Sequence, residues 1–373
     1  MDEKLHQLAL TLTPGIGDVL IRQLISYCGA ASEVFRSGSA KLTRIPGVGE
    51  GIAQGIQRQR QTALQAAEVE LRLAEKYQVR LLFYTDADFP HRLKRLYDAP
   101  VLLYYRGNAD LNAAKTLGIV GTRQATDYGR GLTEEIVKEL QPFNPLVVSG
   151  LAYGIDIAAH RACLKYQVAT LGVMATGMDI VYPPTHQKTA RAMEEQGGLL
   201  TENRFGGQPD AHRFPARNRI IAGLSDALIV VEASVKGGAL ITAEYANNYH
   251  KEVFAVPGDV HRPYSVGCNK LIQQNKAAIF TNVRDLKEML NWDNQPKNGS
   301  DGADASKPFM ADSLLFTGEE SQVIALLRTQ PDMLMDDLSW QSQIPVNRLA
   351  SLLLNLEFQG VVKAMPGKKF ALA

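Results

Sequence analysis

Short apolar runs alternate with amphipathic stretches from about residue 115 to residue 290. The amphipathic stretches have helical spacing, as in Leu132, Ile136, Val137 and Leu140. This alternation is typical of βαβ units, in which a mostly parallel sheet carries helices on both faces. The apolar runs are 117–120, 146–149, 170–174, 198–202, 228–232 and 253–256, preceded by strand-like pieces at 81–84 and 101–105. We therefore predict a doubly wound, mostly parallel α/β domain over residues 76–292.

The N-terminal segment, residues 1–75, has a helical pattern that contains a near-repeat. Pro14-Gly15-Ile16-Gly17 opens one predicted helix, and Pro46-Gly47-Val48-Gly49 opens another. Two Gly-x-Gly turns that each enter a helix resemble paired units of a helix-hairpin-helix or SAM-like domain. Backbone amides at such turns can hold a phosphate, but many such pairs are structural, so both roles stay open.

The C-terminal part predicts a linker and a small third domain. Residues 293–313 are polar and contain Asn-Gly-Ser-Asp-Gly-Ala-Asp, so they bury too little apolar surface to order themselves. Residues 314–373 predict three helices followed by a two-stranded hairpin, which is the pattern of a winged helix. Its Leu-rich helix, 345–356, offers few basic side chains beyond Arg348, so DNA reading, protein contact and a scaffold role stay open.

Composition narrows the class of protein. The chain has 373 residues, which favours two or three domains, and a net charge of +1, which is compatible with a local basic groove. No stretch approaches the roughly 20 apolar residues of a membrane helix, and Met1-Asp2-Glu3-Lys4 does not resemble a signal peptide. Three distant cysteines form no CxxC pair. We expect a cytoplasmic protein without membrane contact or metal.

The predicted strand ends carry small residues where a ligand is expected. In open parallel sheets, ligands bind beyond the carboxyl ends of the strands. The first and second predicted strands lead into Gly121-Thr122-Arg123 and into Ser149-Gly150, and the fifth is followed by Gly237-Gly238 at a helix start. Amides at helix starts attract anions, and Arg123 adds a full positive charge. These turns predict a phosphate site.

A basic cluster strengthens that prediction. Arg213, Phe214, Arg217, Asn218 and Arg219 lie within seven residues and enter a predicted helix. Guanidinium groups grip backbone phosphates, and a phenyl ring offers a stacking face to a base. The alternative is a solvated charge run, or arginines paired with Glu232 and Asp226.

The usual catalytic and nucleotide motifs are incomplete. Met178-Asp179 stands where a P-loop needs Lys and Ser or Thr, and the glycines near Gly121 do not complete a dinucleotide fingerprint. Ser149 has no Gly-x-Ser-x-Gly elbow around it. Asp156 and His160 share a helix face but lack a third partner. We therefore predict no catalytic residue, no metal and no cofactor.

Together these motifs resemble the DNA-processing protein A family, also called DprA or Smf. The resemblance covers essentially the whole central domain. The matching segments are Val120-Gly121-Thr122-Arg123, Ser149-Gly150-Leu151-Ala152, Gly154-Ile155-Asp156, Tyr182-Pro183, Phe214-Pro215-x-Arg217-Asn218-Arg219, Gly237-Gly238-x-Leu240-x-Thr242-Ala243 and Val256-Pro257-Gly258. Pro184 departs from the basic residue that several relatives have at this place.

The resemblance implies a Rossmann-like domain that binds single-stranded DNA. It also implies protection of incoming strands during natural transformation, loading of the RecA recombinase past single-strand-binding protein, and a homodimer. The family's DNA site maps onto Gly121, Arg123, Ser149, Gly150 and the step Arg217-Asn218-Arg219.

The alternative function is enzymatic. The region around Gly237-Gly238 is similar to nucleotide phosphoribohydrolases, whose signature is Pro-Gly-Gly-x-Gly-Thr-x-x-Glu. Here the proline and the Gly-Thr pair are absent, although Glu244 stands near the place of the signature glutamate.

Overall fold

The computed structural model describes residues 2–292, 318–329, 333–358, 361–365 and 369–372. The chain divides into two compact units, Met1–Pro296 and Lys297–Ala373. The predicted linker at 293–313 lies outside the described residues.

Five helices open the first unit. Gly15 and Gly47 adopt φ values of +85° and +81°, a left-handed conformation that favours glycine, and Gly17 and Gly49 cap the helices that follow. The two predicted helix starts are therefore present. The five helices are α1 (Asp2–Thr11), α2 (Asp18–Cys28), α3 (Ala31–Arg36), α4 (Ser39–Leu42) and α5 (Glu50–Lys76).

These helices dock on the sheet domain through polar contacts. The buried carboxylate of Glu70 on α5 accepts a hydrogen bond from the Tyr104 hydroxyl at 2.9 Å and another from the Phe205 amide at 2.8 Å. At the start of α2, Asp18 accepts a hydrogen bond from the Val101 amide at 3.2 Å. The N-terminal helices therefore form one compact unit with the sheet, and the opening turn of α2 is used in that docking.

The sheet has nine strands in the order β1-β2-β6-β5-β4-β3-β7-β8-β9. All neighbouring pairs from β6 to β9 are parallel, whereas β2 is antiparallel to both β1 and β6. The strands are β1 (Arg80–Phe83), β2 (Leu102–Gly107), β3 (Thr116–Val120), β4 (Leu146–Gly150), β5 (Thr170–Val173), β6 (Gly197–Thr201), β7 (Ala227–Val230), β8 (Glu252–Ala255) and β9 (Ala278–Ile279).

Helices cover both faces of this sheet. The side chains of β3 alternate, so that Ile119 joins the core under α7 and α8 while Val120 joins the core under α10 and α11. This confirms the predicted doubly wound fold. The helices are α6 (His91–Lys94), α7 (Asp127–Leu140), α8 (Ile155–Tyr166), α9 (Gln187–Glu195), α10 (Arg213–Leu224), α11 (Gly238–Asn248), α12 (Val266–Gln273) and α13 (Val283–Met289).

The second unit has the predicted winged-helix pattern. Its core is built on Leu349, Leu353 and Leu356, which recur at helical spacing on one face of its third helix. The elements are α14 (Gly318–Thr329), β10 (Met333–Leu334), α15 (Met335–Ser342), α16 (Val346–Phe358), β11 (Val362–Met365) and β12 (Lys369–Leu372). The short strand β10 adds a third strand to the predicted hairpin. No helix among the described residues is long and apolar enough to cross a membrane.

Candidate nucleic-acid interface

A cavity of about 690 Å³ opens at the carboxyl ends of β3 and β7. These two strands are neighbours, but the chain proceeds from β3 toward β6 and from β7 toward β9, so strand order reverses between them. A crevice forms at such a switch point because the following helices lie on opposite faces of the sheet. We call this cavity the groove. Residues from both strand ends line it, as the sequence predicts, including Gly121, Thr122, Arg123, Gly237 and Gly238.

Two glycines allow the close packing beneath the groove. A Cβ atom on Gly121 would stand 2.7 Å from Cβ of Ile155. A Cβ atom on Gly150 would stand 2.5 Å from both Nη2 of Arg217 and Oδ2 of Asp156. Gly150 therefore leaves room for a buried guanidinium and a buried carboxyl group side by side.

Arg217 forms the floor of the groove. It is 5% exposed, donates from Nη1 to the Val173 carbonyl, and donates from Nε to Oδ1 of Asn218 at 3.2 Å. Asn218 in turn donates to the Gly238 carbonyl at 3.1 Å, which links α10 to the start of α11. Burial lowers the pKa of Arg217 to about 10, and the neighbouring Asp156 opposes that shift. The floor is thus a fixed cation with one buried carboxyl group beside it.

The rim combines a second cation with aromatic rings. The exposed guanidinium of Arg123 lies 5.0 Å from the centroid of the Phe214 ring, which is within cation–π range. The half-exposed Phe214 ring lies 5.8 Å from the Tyr182 ring. A smaller cavity of about 160 Å³ opens beside these three side chains. This rim can hold a phosphate on Arg123 and a base against Phe214.

Backbone amides complete the anion-binding character of the groove. Helix α11 begins at Gly238, and the amides of a first helical turn have no partner inside the helix. A Cβ atom on Gly238 would meet no atom closer than 3.9 Å, so a ligand can approach this backbone. The amide of Thr122, by contrast, donates to the Glu232 carbonyl at 2.7 Å, so it is not free to bind a ligand.

Four predicted site residues do not line the groove. Gly150 lies beneath it, against Arg217 and Asp156. Ser149 is fully buried, and its hydroxyl donates to the Ile119 carbonyl at 2.6 Å. Arg213 donates to the Gln208 carbonyl at 3.1 Å. Arg219 pairs with Glu202 and lies 3.9 Å from Asp18. Successive helical residues turn by about 100°, so Arg217 and Arg219 project in very different directions from α10.

In the described part of the chain, neither Asp226 nor Glu232 pairs with the arginine cluster, as the alternative prediction required. Asp226 pairs with Arg92 and not with the cluster, at 2.7 Å from its Nε. Glu232 accepts hydrogen bonds from the amide and the hydroxyl of Thr126, which caps α7.

The sequence prediction missed several groove residues. Lys236 is exposed beside Gly237 and lines the groove. Tyr264 lines it from the loop before α12 and donates from its hydroxyl to Oε1 of Gln124. Tyr182, in the matching segment Tyr182-Pro183, also lines the groove, although it is not among the predicted site residues. The position of Lys236 next to Gly237 is the one sequence signal that could have placed Lys236 in the site.

Buried titratable groups near the groove do not form a metal site. Among the residues that the structure describes, no group of three His, Cys, Asp or Glu side chains is placed to hold a metal ion. His160 bonds to Oγ1 of Thr170 at 2.7 Å, and burial lowers the pKa of His160 to about 3, so it is neutral. Burial raises the pKa of Asp156, although Arg217 opposes the shift.

Two family models match the chain. The model described as DNA recombination-mediator protein A matches residues 80–291, and the DprA winged helix domain matches residues 308–368. Protein Smf of Synechocystis sp. is 30% identical, over 99% of this chain and 98% of its own length. The chain belongs to the DprA family.

Solved structures of DprA proteins show the same fold. DprA from Streptococcus pneumoniae is 31% identical with a TM-score of 0.65, covering 77% of this chain and 97% of that one. DprA from Helicobacter pylori is 28% identical with a TM-score of 0.53, covering 58% of this chain and 97% of that one. The latter structure is described as showing a single-stranded DNA binding mode.

Proposed function

We propose that this DprA family member binds single-stranded DNA in the groove and acts as a DNA-handling protein rather than as an enzyme. The observation that carries the proposal is the pairing of a buried cation, Arg217, with an exposed cation, Arg123, that lies over the half-exposed ring of Phe214. Cations with stacking faces are the combination that grips a single strand without reading its sequence. The H. pylori relative, whose structure is described as showing a single-stranded DNA binding mode, supports the choice of ligand.

Fluorescence anisotropy of labelled oligo-dT tests this proposal, against a matched duplex and at two salt concentrations. Binding should favour the single strand and weaken with salt, because neutralised phosphates release counterions. Arg123→Glu should nearly abolish binding. Arg191→Glu is the matched control, because Arg191 is equally exposed, on α9, and lines neither groove cavity. Unchanged binding in Arg123→Glu would overturn the site.

The cellular role is a finer proposal. We propose a cytoplasmic homodimer that protects incoming strands during natural transformation and loads RecA onto DNA covered by single-strand-binding protein. Family membership supports this role. RecA-dependent ATP hydrolysis on DNA coated with that protein should rise when this chain is added and should not rise with Arg123→Glu. Light scattering in solution gives the oligomeric state.

The enzymatic alternative loses support from the position of Glu244. A phosphoribohydrolase needs that carboxylate beside the substrate, but Glu244 pairs with Lys276 at 3.0 Å and does not line the groove. Release of a free base from a nucleoside monophosphate, abolished by Glu244→Gln, would reverse this conclusion.

A further inference from the structure

A second cavity, of about 660 Å³, opens at the opposite edge of the sheet, where β7 and β8 begin. We call it the distal cavity. Asp226 precedes β7, whose carboxyl end borders the groove, and Lys251 precedes the neighbouring strand β8, so both stand at amino ends of strands. The residues that matter here are Arg92, Arg95, Tyr97, Asp226, Tyr249 and Lys251.

The only acidic side chain among the described residues that line the distal cavity is that of Asp226, and it already pairs with Arg92. Asp226 accepts from Nε of Arg92 at 2.7 Å and from Nη2 at 2.8 Å. It also accepts from the Thr116 amide at 2.9 Å. Arg92 and Asp226 therefore neutralise each other in a bidentate pair, and this carboxylate has little capacity left for a further cation.

Two cations in the distal cavity have no ion-pair partner. Within the parts of the chain that the structure describes, neither Arg95 nor Lys251 approaches a carboxylate within 4.0 Å. Burial lowers the pKa of Lys251; Asp226 opposes that shift, and Arg92 and Arg95 add to it. A partly desolvated, unpaired ammonium is unfavourable unless an anion offsets it. The distal cavity thus has excess positive charge and space for a ligand.

A structural explanation accounts for the two charges unequally. Lys251 follows the end of α11, and a cation near a helix C-terminus is favourable. Arg95 is the C-cap residue of α6, but α6 has only four residues against eleven in α11, so its dipole offers Arg95 much less. The convergence of two free cations from separate segments on one cavity is the observation that points to an anionic ligand.

An exposed aromatic ring favours nucleic acid as that ligand. Tyr97 is 71% exposed and lies edge-on to Tyr249, with ring centroids 6.3 Å apart. Free cations beside an exposed ring repeat the chemistry of the groove rim. Helices α10 and α11 both begin at the groove and end next to the distal cavity, and α11 is about 16 Å long. The two cavities therefore lie at opposite ends of one pair of helices.

We propose that the distal cavity is a second phosphate-binding site, which holds the backbone of the strand after it leaves the groove. Arg95 and Lys251 contact phosphates, and Tyr97 offers a stacking face. This inference rests on the proposed function of the groove. The distal site makes affinity depend on strand length, because a short oligonucleotide occupies only the groove, whereas a long one reaches both sites.

The test compares oligo-dT of about 6 nucleotides, near the lower end of typical single-strand site sizes, with oligo-dT of about 25 nucleotides, above their upper end. In Arg95→Ala/Lys251→Gln, the affinity for the long strand should fall about tenfold, and the salt slope should fall by about 1.4 for two lost phosphate contacts. The affinity for the short strand should not change. Lys94→Ala/Lys138→Ala removes the same charge from exposed positions outside the cavity and should change neither affinity.

Two further measurements keep the outcomes distinct. Arg95→Lys/Lys251→Arg retains both charges and should retain long-strand affinity, which separates charge from folding defects. Unchanged long-strand binding in the Ala/Gln variant, or equal losses at both lengths, would overturn the distal site while leaving the groove intact. A labelled poly-glutamate peptide that binds wild type but not the Ala/Gln variant, with oligonucleotide binding unchanged, would also overturn it. Failure of wild type to bind either strand would instead contradict the proposed function.

Discussion

The groove and the junction between the N-terminal helices and the sheet take their arginines from the same helix, but surround them differently. In the groove, Arg217 has one neighbouring carboxyl group, that of Asp156, and a second cation, Arg123, at the rim. At the junction, Arg219 faces Glu202 and Asp18, and Asp98 lies close by. The groove therefore has spare positive charge, whereas the junction has spare negative charge.

This difference separates a ligand site from an internal clamp. A cation that exceeds its protein partners is available to an external anion, whereas a cation outnumbered by carboxylates holds two parts of the chain together. Two residues of one motif, Arg217 and Arg219, thus have distinct expected roles.

The largest expected effect comes from exchanging these two arginines for an apolar side chain of similar length. Arg217→Met should weaken oligo-dT binding about a hundredfold, because it removes the floor cation and leaves the buried Asp156 without that neighbouring positive charge. Arg219→Met should leave affinity within about threefold. Both should lower stability by roughly 3 kcal/mol, because each removes the cation that faces a buried or largely buried carboxyl group. Anisotropy and urea unfolding of both variants provide the measurement.

Because both variants should lose the same stability, each serves as the control for a general folding defect in the other. Equal losses of DNA affinity in Arg217→Met and Arg219→Met would contradict the division of roles. Arg217→Lys should recover part of the affinity, since it keeps the charge but loses the forked hydrogen bonds.

A smaller effect is expected from filling the space over Gly150. In Gly150→Ala, the added methyl group would meet Arg217 and Asp156 at 2.5 Å, so the floor cation must shift. We expect about tenfold weaker binding and a loss of about 1–3 kcal/mol in stability. Gly131→Ala, on α7, is the control, because a Cβ atom there meets nothing within 4 Å. That control should be neutral or slightly stabilising. Normal affinity in Gly150→Ala would show that the packing under the groove tolerates displacement.

The sequence predicts the sheet and the groove backbone well, because both leave local signals. Strands buried on both faces read as continuous apolar runs, and the turns after β3 and β7 carry Gly121 and Gly237 at recognisable positions. The position of the crevice then follows from the reversal of strand order.

The directions of individual side chains could not be predicted from sequence. Helical spacing alone separates Arg217 from Arg219. Which of the two faces away from the groove depends on Glu202 and Asp18, which come from distant segments. Ser149 is buried because β4 packs beside β3 in a register that places its hydroxyl at the Ile119 carbonyl. Such facts depend on tertiary contacts that no local pattern encodes.

The junction should respond to pH through Glu202. Burial raises the pKa of Glu202 to about 7; Arg219 opposes this shift, and Asp18 and Asp98 add to it. The folded state therefore holds a proton that the unfolded state releases near pH 4.5, so stability should fall as pH rises from about 4.5 to 7. We expect a fall of about 3 kcal/mol from this group. Urea unfolding across that range measures it.

Glu202→Gln isolates this contribution from other groups that titrate in the same range. The variant should have a flatter stability profile between pH 4.5 and 7 than wild type, and unchanged oligo-dT affinity. A profile as steep as that of wild type would show that Glu202 does not retain its proton in the folded protein.

The smallest effect is expected from removing the whole second unit. Every group assigned to DNA lies in the first unit, which is compact by itself, so deletion of all residues after Ser313 should change oligo-dT affinity by less than about twofold. The exposed face of α16 contributes Arg348 and Glu357, of opposite charge, which gives no excess of cations for phosphate. Anisotropy with the truncated and full-length chains at matched salt measures the change. A loss of tenfold or more would move part of the DNA site to the winged helix, and the comparison between groove and junction would then describe only half of the binding surface.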